Sequence, residues 1–152
     1  MKVKKLHQEA ILPNKAHSGD LGYDLFSVEE VLIIPGETKL ISTGIAIQFP
    51  NGYGGFIKDR SSVATKKKLF TVAGVIDNGY IGEIKIALYN PTEDYSNVKK
   101  GEKIAQLVLI PTVDFSIEEV DELVSEDARG ENGFGSTDRN NQRKFGWYDQ
   151  TR

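Results

Sequence analysis

The chain has 152 residues, 27% of them charged and 39% hydrophobic, a formal net charge of −3, two histidines and no cysteine. This is enough for one domain with a real core and too apolar for general disorder. Disulfides, thiolate nucleophiles and cysteine zinc sites are excluded, a histidine-rich metal site has too few ligands, and the charge balance offers no global attraction to nucleic acid or anionic membrane.

The first residues, Met1 to Leu6, are basic, but no apolar run follows them as a secretory signal requires. No stretch approaches the ~20 apolar residues that cross a bilayer. The expectation is a soluble cytoplasmic protein, or a nuclear one if the source is eukaryotic or viral.

Residues 16–27 open with the turn formers Ser18-Gly19-Asp20 and pass into a strand start, Tyr23-Asp24-Leu25-Phe26. Asp24 lies in apolar company, where an unpaired carboxylate is costly. It needs a cation, an arginine or backbone donors, unless it merely caps the turn. Runs rich in β-branched and aromatic residues then predict strands at Val31 to Ile34, Lys39 to Ile41, Ile45 to Phe49, Gly54 to Ile57, Ile84 to Tyr89, Ile104 to Ile110 and Phe115 to Val120. Pro35-Gly36, Pro50-Asn51-Gly52, Asn90-Pro91-Thr92 and Lys100-Gly101 punctuate them as turns. With no long amphipathic helix, the fold class is all-β, a sandwich or barrel.

Asp59-Arg60-Ser61-Ser62 ends one strand and leads into the only helix expected, a short one. Hydroxyls and free N–H groups at a helix start, beside an arginine, suit an anion, although serine as an ordinary helix cap explains the same residues. Lys66-Lys67-Lys68 reads as a solvated face. Gly74 to Ile84 contains Asn78-Gly79, the strongest short hairpin signal, because a type I′ turn needs φ > 0 at both central residues. Such a turn sets Asp77 directly opposite Tyr80 on one face, with Cβ atoms about 4.5–5.5 Å apart. In Gly101 to Leu107, Gln106 is the one uncharged polar residue within an apolar run and must find a hydrogen-bond partner. Residues 129–138, Arg-Gly-Glu-Asn-Gly-Phe-Gly-Ser-Thr-Asp, read as a phosphate-cradling loop or as a glycine-rich tail. Residues 139–152 are polar and basic until Phe145-Gly146-Trp147-Tyr148.

These five stretches, in this order and spacing, resemble the five motifs of the trimeric dUTPases (dUTP nucleotidohydrolases), over Ala16 to Thr137. The resemblance implies a jelly-roll-like β-barrel protomer over residues 1–128, with a glycine-rich arm and polar, aromatic tail over 129–152. It implies a homotrimer with sites shared between subunits, and Mg²⁺-dependent conversion of dUTP and water to dUMP and pyrophosphate. That reaction keeps uracil out of DNA and supplies dUMP for dTMP synthesis. By the same resemblance Asp77 activates the attacking water, and Tyr80 packs under the deoxyribose where a 2′-hydroxyl would sit. Gly74 and Val75 offer backbone to uracil, Arg60, Ser61 and Ser62 hold phosphates, and Gln106 lies near the α-phosphate and the water. Asp24 holds Mg²⁺ through water. Arg129, Phe134, Gly135, Ser136 and Thr137 form the closing arm, with Phe134 stacked on uracil. Asn132 and Asp138 replace two glycines of the family's arm pattern, Gly79 replaces a frequent acidic residue, and Asp59 stands where proline is common.

Two rivals follow. The dCTP deaminases share the fold, but the position five residues past Gly82, where they carry a catalytic glutamate, is Ala87 here. A dUTP-binding regulatory protein is the other, and residues 139–152 could recruit a protein partner even beside catalysis.

Overall fold

Alternation in the sequence decides which face of each strand is buried. In the computed structural model, which describes residues 1–124, ten strands form: β1 (Lys2–Lys5), β2 (Gly22–Phe26), β3 (Val31–Ile33), β4 (Thr38–Gln48), β5 (Tyr53–Lys58), β6 (Phe70–Thr71), β7 (Val75–Ile76), β8 (Glu83–Tyr89), β9 (Ser96–Val98) and β10 (Lys103–Pro111). One sheet has the order β1-β4-β8-β6 and a second β2-β10-β5-β7, while β3 and β9 pair as a ribbon. All these pairings are antiparallel.

In β8, Ile84, Ile86 and Leu88 point into the core while Glu83, Lys85 and Ala87 alternate with them. They meet Ile41, Ile45 and Ile47 of β4, and Leu25, Ile57 and Leu107 of the other sheet, in one core. Each such buried aliphatic side chain contributes about 1.5–3 kcal/mol. The chain divides into two units, Met1–Asp114 and Phe115–Arg152. Both sheets belong to the first.

Two strand expectations are corrected. The segments Lys39 to Ile41 and Ile45 to Phe49 are one strand, β4, bent where its pairing with β8 shifts between Ser42 and Ala46. Gly44 makes the bend: it has φ +68, and its N–H donates to Glu83 Oε1. An added Cβ there would lie 2.9 Å from that of His7, so the bulge needs glycine. Phe115 to Val120 is not a strand, because among the described residues no neighbouring strand completes a ladder with it.

The helix after Ser62 is a single wide π turn, Val63–Lys67, closed by the N–H of Lys68 on Val63 O. It ends because Lys68 takes a left-handed conformation, φ 54. Lys67 is no solvated charge: its Nζ reaches Glu102 at 2.6 Å and Asn97 O at 2.6 Å, tying the turn to the β9–β10 connection. Nearby, Lys100 holds the Glu9 carboxyl below its ordinary value by hydrogen bond and charge.

Candidate active site

Strand order brings the first, second and fourth stretches together. Gln106 on β10 lies opposite Asp24 of β2 on one side and Lys58 of β5 on the other. Directly opposed residues share a face, so the carboxylate, the amide and the end of β5 meet outside the sheet. Asp24 is buried, and both its oxygens are taken: Arg60 Nε donates to Oδ1 at 2.7 Å and Lys103 Nζ lies 2.8 Å from Oδ2. The partner that burial required is therefore a pair of cations. Asp24 is no turn cap; that work falls to Asp20, whose Oδ2 accepts the N–H of His17.

Gln106 Nε2 donates to the carbonyl of Asp59 at 2.7 Å, the partner its position demanded. Its side chain lies across Gly22, where an added Cβ would sit 2.2 Å from Oε1 and 2.9 Å from Cδ. Ser62 makes no side-chain cap bond; its Oγ receives only a long 3.4 Å contact from Arg60 Nη1. The capping explanation for Ser62 thus fails, leaving its hydroxyl toward a cleft of about 420 Å³ shared with Asp24, Arg60, Ser61 and Gln106. Asp20 also lines it, so Arg60 and the two serine hydroxyls face the same space as two carboxylates; the guanidinium and hydroxyls are the groups that could meet a phosphate.

The Asn78-Gly79 corner is built differently from the sequence expectation. Neither residue has positive φ, so the turn is not type I′. It is a β-turn closed by Tyr80 N–H on Asp77 O at 3.1 Å. Nor is it a hairpin: β7 pairs with β5, and β8 with β4 and β6, so the turn carries the chain between sheets. The reason lies in the Asn78 side chain, whose amide donates to Pro50 O at 2.8 Å and Tyr53 O at 2.6 Å. These bonds fasten the corner to the β4–β5 turn and take over from a left-handed backbone.

Asp77 and Tyr80 still line one cleft, of about 450 Å³, with Val75, Ile76, Glu83 and Lys85. Tyr80 Oη donates to Glu83 O at 2.9 Å. Its ring covers Gly82, where a Cβ would meet Oη at 2.5 Å. Gly74, at φ +113, lets the chain pass close over Ile57, whose N–H its carbonyl accepts at 2.7 Å.

The two clefts share no lining residue. Asp77 follows Ile76, which pairs with Gly55, and Gly54 in turn faces Ile110. At about 3.3 Å per residue, Gly54 is roughly 13 Å along β5 from the level of Gln106, and Arg60 lies two residues past the strand's far end. One chain does not bring Asp77 onto the atoms that Arg60 and Gln106 face.

Among the described residues no group of three or more acidic or histidine side chains gathers as a metal cage. Asp24 has one donor on each oxygen, which leaves each a further lone pair for a water. This fits a magnesium ion that keeps its waters and is held chiefly by phosphates. It does not fit direct ligation. Arg129, Phe134, Gly135, Ser136, Thr137 and the tail lie outside the described residues.

Sequence reasoning does not single out Lys103, Gly22 or Gly82, and it marks Asn78 only as a turn former. The signal for Lys103 is present, since a buried carboxylate has two oxygens to satisfy. The others are visible only once side chains are placed.

A family model described as dUTPase matches residues 8–138. The chain belongs to the dUTPase family. It is 50% identical over 139 residues to the deoxyuridine 5′-triphosphate nucleotidohydrolase of Clostridioides difficile, covering 90% of this chain and 96% of that one. It is 51% identical over 137 residues to the enzyme of the same name from Clostridium kluyveri, covering 89% and 95%. Among solved structures, the Staphylococcus bacteriophage 80alpha dUTPase with dUPNHPP superposes with a TM-score of 0.84 at 35% identity, covering 89% and 96%. A mutant dUTPase from phage phi11 of S. aureus, described with a structural Mg(II) ion, gives 0.77 at 30% identity, covering 82% and 98%. With two antiparallel four-stranded sheets around one core, the first unit is the jelly-roll-like barrel of this family.

Proposed function

We propose that this chain is a dUTP diphosphatase, hydrolysing dUTP to dUMP and pyrophosphate. The observation that carries it is the Asp24–Arg60–Gln106 cleft, which offers a guanidinium and two serine hydroxyls and lies in a chain that matches the dUTPase family over residues 8–138. Arg60, Ser61 and Ser62 bind the phosphate chain. Tyr80 lies beneath the sugar, fixed by its bond to Glu83 O, and excludes a 2′-hydroxyl. The backbone at Gly74 and Val75 receives the uracil edge.

Asp77 takes a proton from the water as the water oxygen bonds to the α-phosphorus. The bond from that phosphorus to the bridging oxygen breaks, and pyrophosphate leaves. Gln106 presents Oε1, its amide nitrogen being occupied by Asp59, and so accepts a hydrogen from the same water. General-base help supplies about 10²–10⁴-fold, and positioning and charge neutralisation supply most of the remainder. Asp24, through water, would hold a Mg²⁺ ion together with the substrate phosphates, and that ion would supply charge neutralisation. The arm residues Arg129, Phe134, Gly135, Ser136 and Thr137 close the site.

The separation of the two clefts supports a homotrimer in which Asp77 and Tyr80 of one subunit serve the phosphate cleft of another. A dCTP deaminase reading is disfavoured by Ala87, which occupies β8 and carries no group to move a proton. Incubating the protein with dUTP, UTP, dTTP and dCTP, and assaying pyrophosphate and ammonia, tests the proposal. Pyrophosphate from dUTP alone is the expected result; ammonia from dCTP makes it a deaminase, and no release from any of them makes it a binding protein.

A further inference from the structure

We propose that Asp59 is a positioning residue that orients the Gln106 amide by latching its own backbone to the opposite sheet. The inference rests on reading the Asp24–Arg60–Gln106 cleft as the phosphate side of a dUTP-hydrolysing site. Asp59 makes two bonds in different directions. Its carbonyl accepts Gln106 Nε2 at 2.7 Å, and its carboxylate Oδ1 accepts the N–H of Thr71 at 2.6 Å. Thr71 belongs to β6, on the edge of the β1-β4-β8-β6 sheet, whereas Gln106 lies in the other sheet. The side chain of Asp59 therefore braces the end of β5 across the gap between sheets.

The bracing has a chemical consequence. An amide side chain has a donor end and an acceptor end, and a fixed carbonyl accepts only the donor. With the Asp59 carbonyl held in place, Gln106 Oε1 is left over Gly22, inside the cleft, as an acceptor for a water hydrogen. Arg60 is the next residue, and its guanidinium rests on Asp24. That ion pair holds Arg60 without the latch, so Gln106 is the group the latch aims. A proline at position 59 would stiffen the backbone but could not accept the Thr71 N–H.

Asp59→Ala and Asp59→Asn separate this role from a general effect on folding. The alanine variant should lower kcat about 10- to 100-fold with KM little changed, as misplacement of a reacting group does. The asparagine variant, which keeps an acceptor oxygen, should restore kcat to within about threefold of the parent. In a Gln106→Ala background, Asp59→Ala should cost nothing further, because both act through one group. Thr71 amide exchange should quicken about tenfold in Asp59→Ala and not in Asp59→Asn. Unchanged kcat in Asp59→Ala, full additivity with Gln106→Ala, or an asparagine variant as slow as alanine would overturn the proposal. If the parent protein turns over no dUTP, the functional reading fails by itself. The Thr71 exchange and the Gln106 side-chain amide signal then still decide the latch: neither changing in Asp59→Ala refutes it.

Discussion

Asp24 and Asp77 are both aspartates in recognisable stretches, yet their surroundings assign them opposite work. Asp24 is buried between two cations, so its charge is committed to holding Arg60 and Lys103. Asp77 is exposed, and its side chain makes no hydrogen bond among the described residues, which leaves it able to take a proton. Asp77→Asn should therefore bind the non-hydrolysable analogue dUpNHpp with a Kd close to the parent's while kcat falls by about 10²–10⁴-fold; a kcat near the parent's removes Asp77 as the base. Gly22→Ala tests the neighbouring residue. A methyl at 2.2 Å from Gln106 Oε1 must push that side chain aside, so kcat should drop while the overpacking lowers stability by about 1–3 kcal/mol, read together by kinetics and thermal melting. At this scale the sequence is informative wherever burial forces a partner, as at Asp24 and Gln106. It is silent about Gly22, whose need for glycine arises from a side chain on another strand.

The Asn78-Gly79 turn shows how a local signal can name the right residues for the wrong reason. Its dipeptide grammar predicts φ > 0 and a hairpin; the chain instead uses Asn78 as a side-chain donor to Pro50 and Tyr53. Those contacts lie 28 and 25 residues away along the chain, beyond anything a four-residue rule can see. Asn78→Ala removes two neutral hydrogen bonds, about 2 kcal/mol together, which for a chain of this length lowers Tm by about 4–8 °C. An unchanged Tm means the corner is held by something else. The same corner fixes Tyr80 over Gly82, and in the function we propose its ring is what meets the sugar. Tyr80→Ala should reduce the dUTP/UTP ratio of kcat/KM by about 10- to 100-fold, near the limit for sensing one added hydroxyl sterically, while Tyr80→Phe, which keeps the ring, should hold most of it. The principal strands are legible because alternation and β-branching coincide with burial. β6, β7 and β9 are only two or three residues long and exist through their pairing partners.

The sheet order β2-β10-β5-β7 separates Asp77 from the cleft of Asp24, Arg60 and Gln106, and no motif spacing conveys that separation. In sequence Asp77 is 17 residues from Arg60; in space β5 sets Asp77 roughly 13 Å from the level of Gln106, with Arg60 past the strand's far end. Side chains do not close that gap, so the site we propose takes Asp77 from one chain and Arg60 and Gln106 from another. Two inactive variants distinguish this from a site within one chain. Asp77→Asn leaves the phosphate cleft whole, and Arg60→Ala leaves the corner whole, with Lys103 still paired to Asp24. In a closed ring of identical contacts mixed at equal amounts, about a quarter of the sites join an intact corner to an intact cleft. Coexpressed or co-refolded, the two variants should therefore recover about a quarter of the parent's activity, while each alone stays inactive. If both groups served one site from the same chain, every site in the mixture would carry one defect, and mixing would recover nothing.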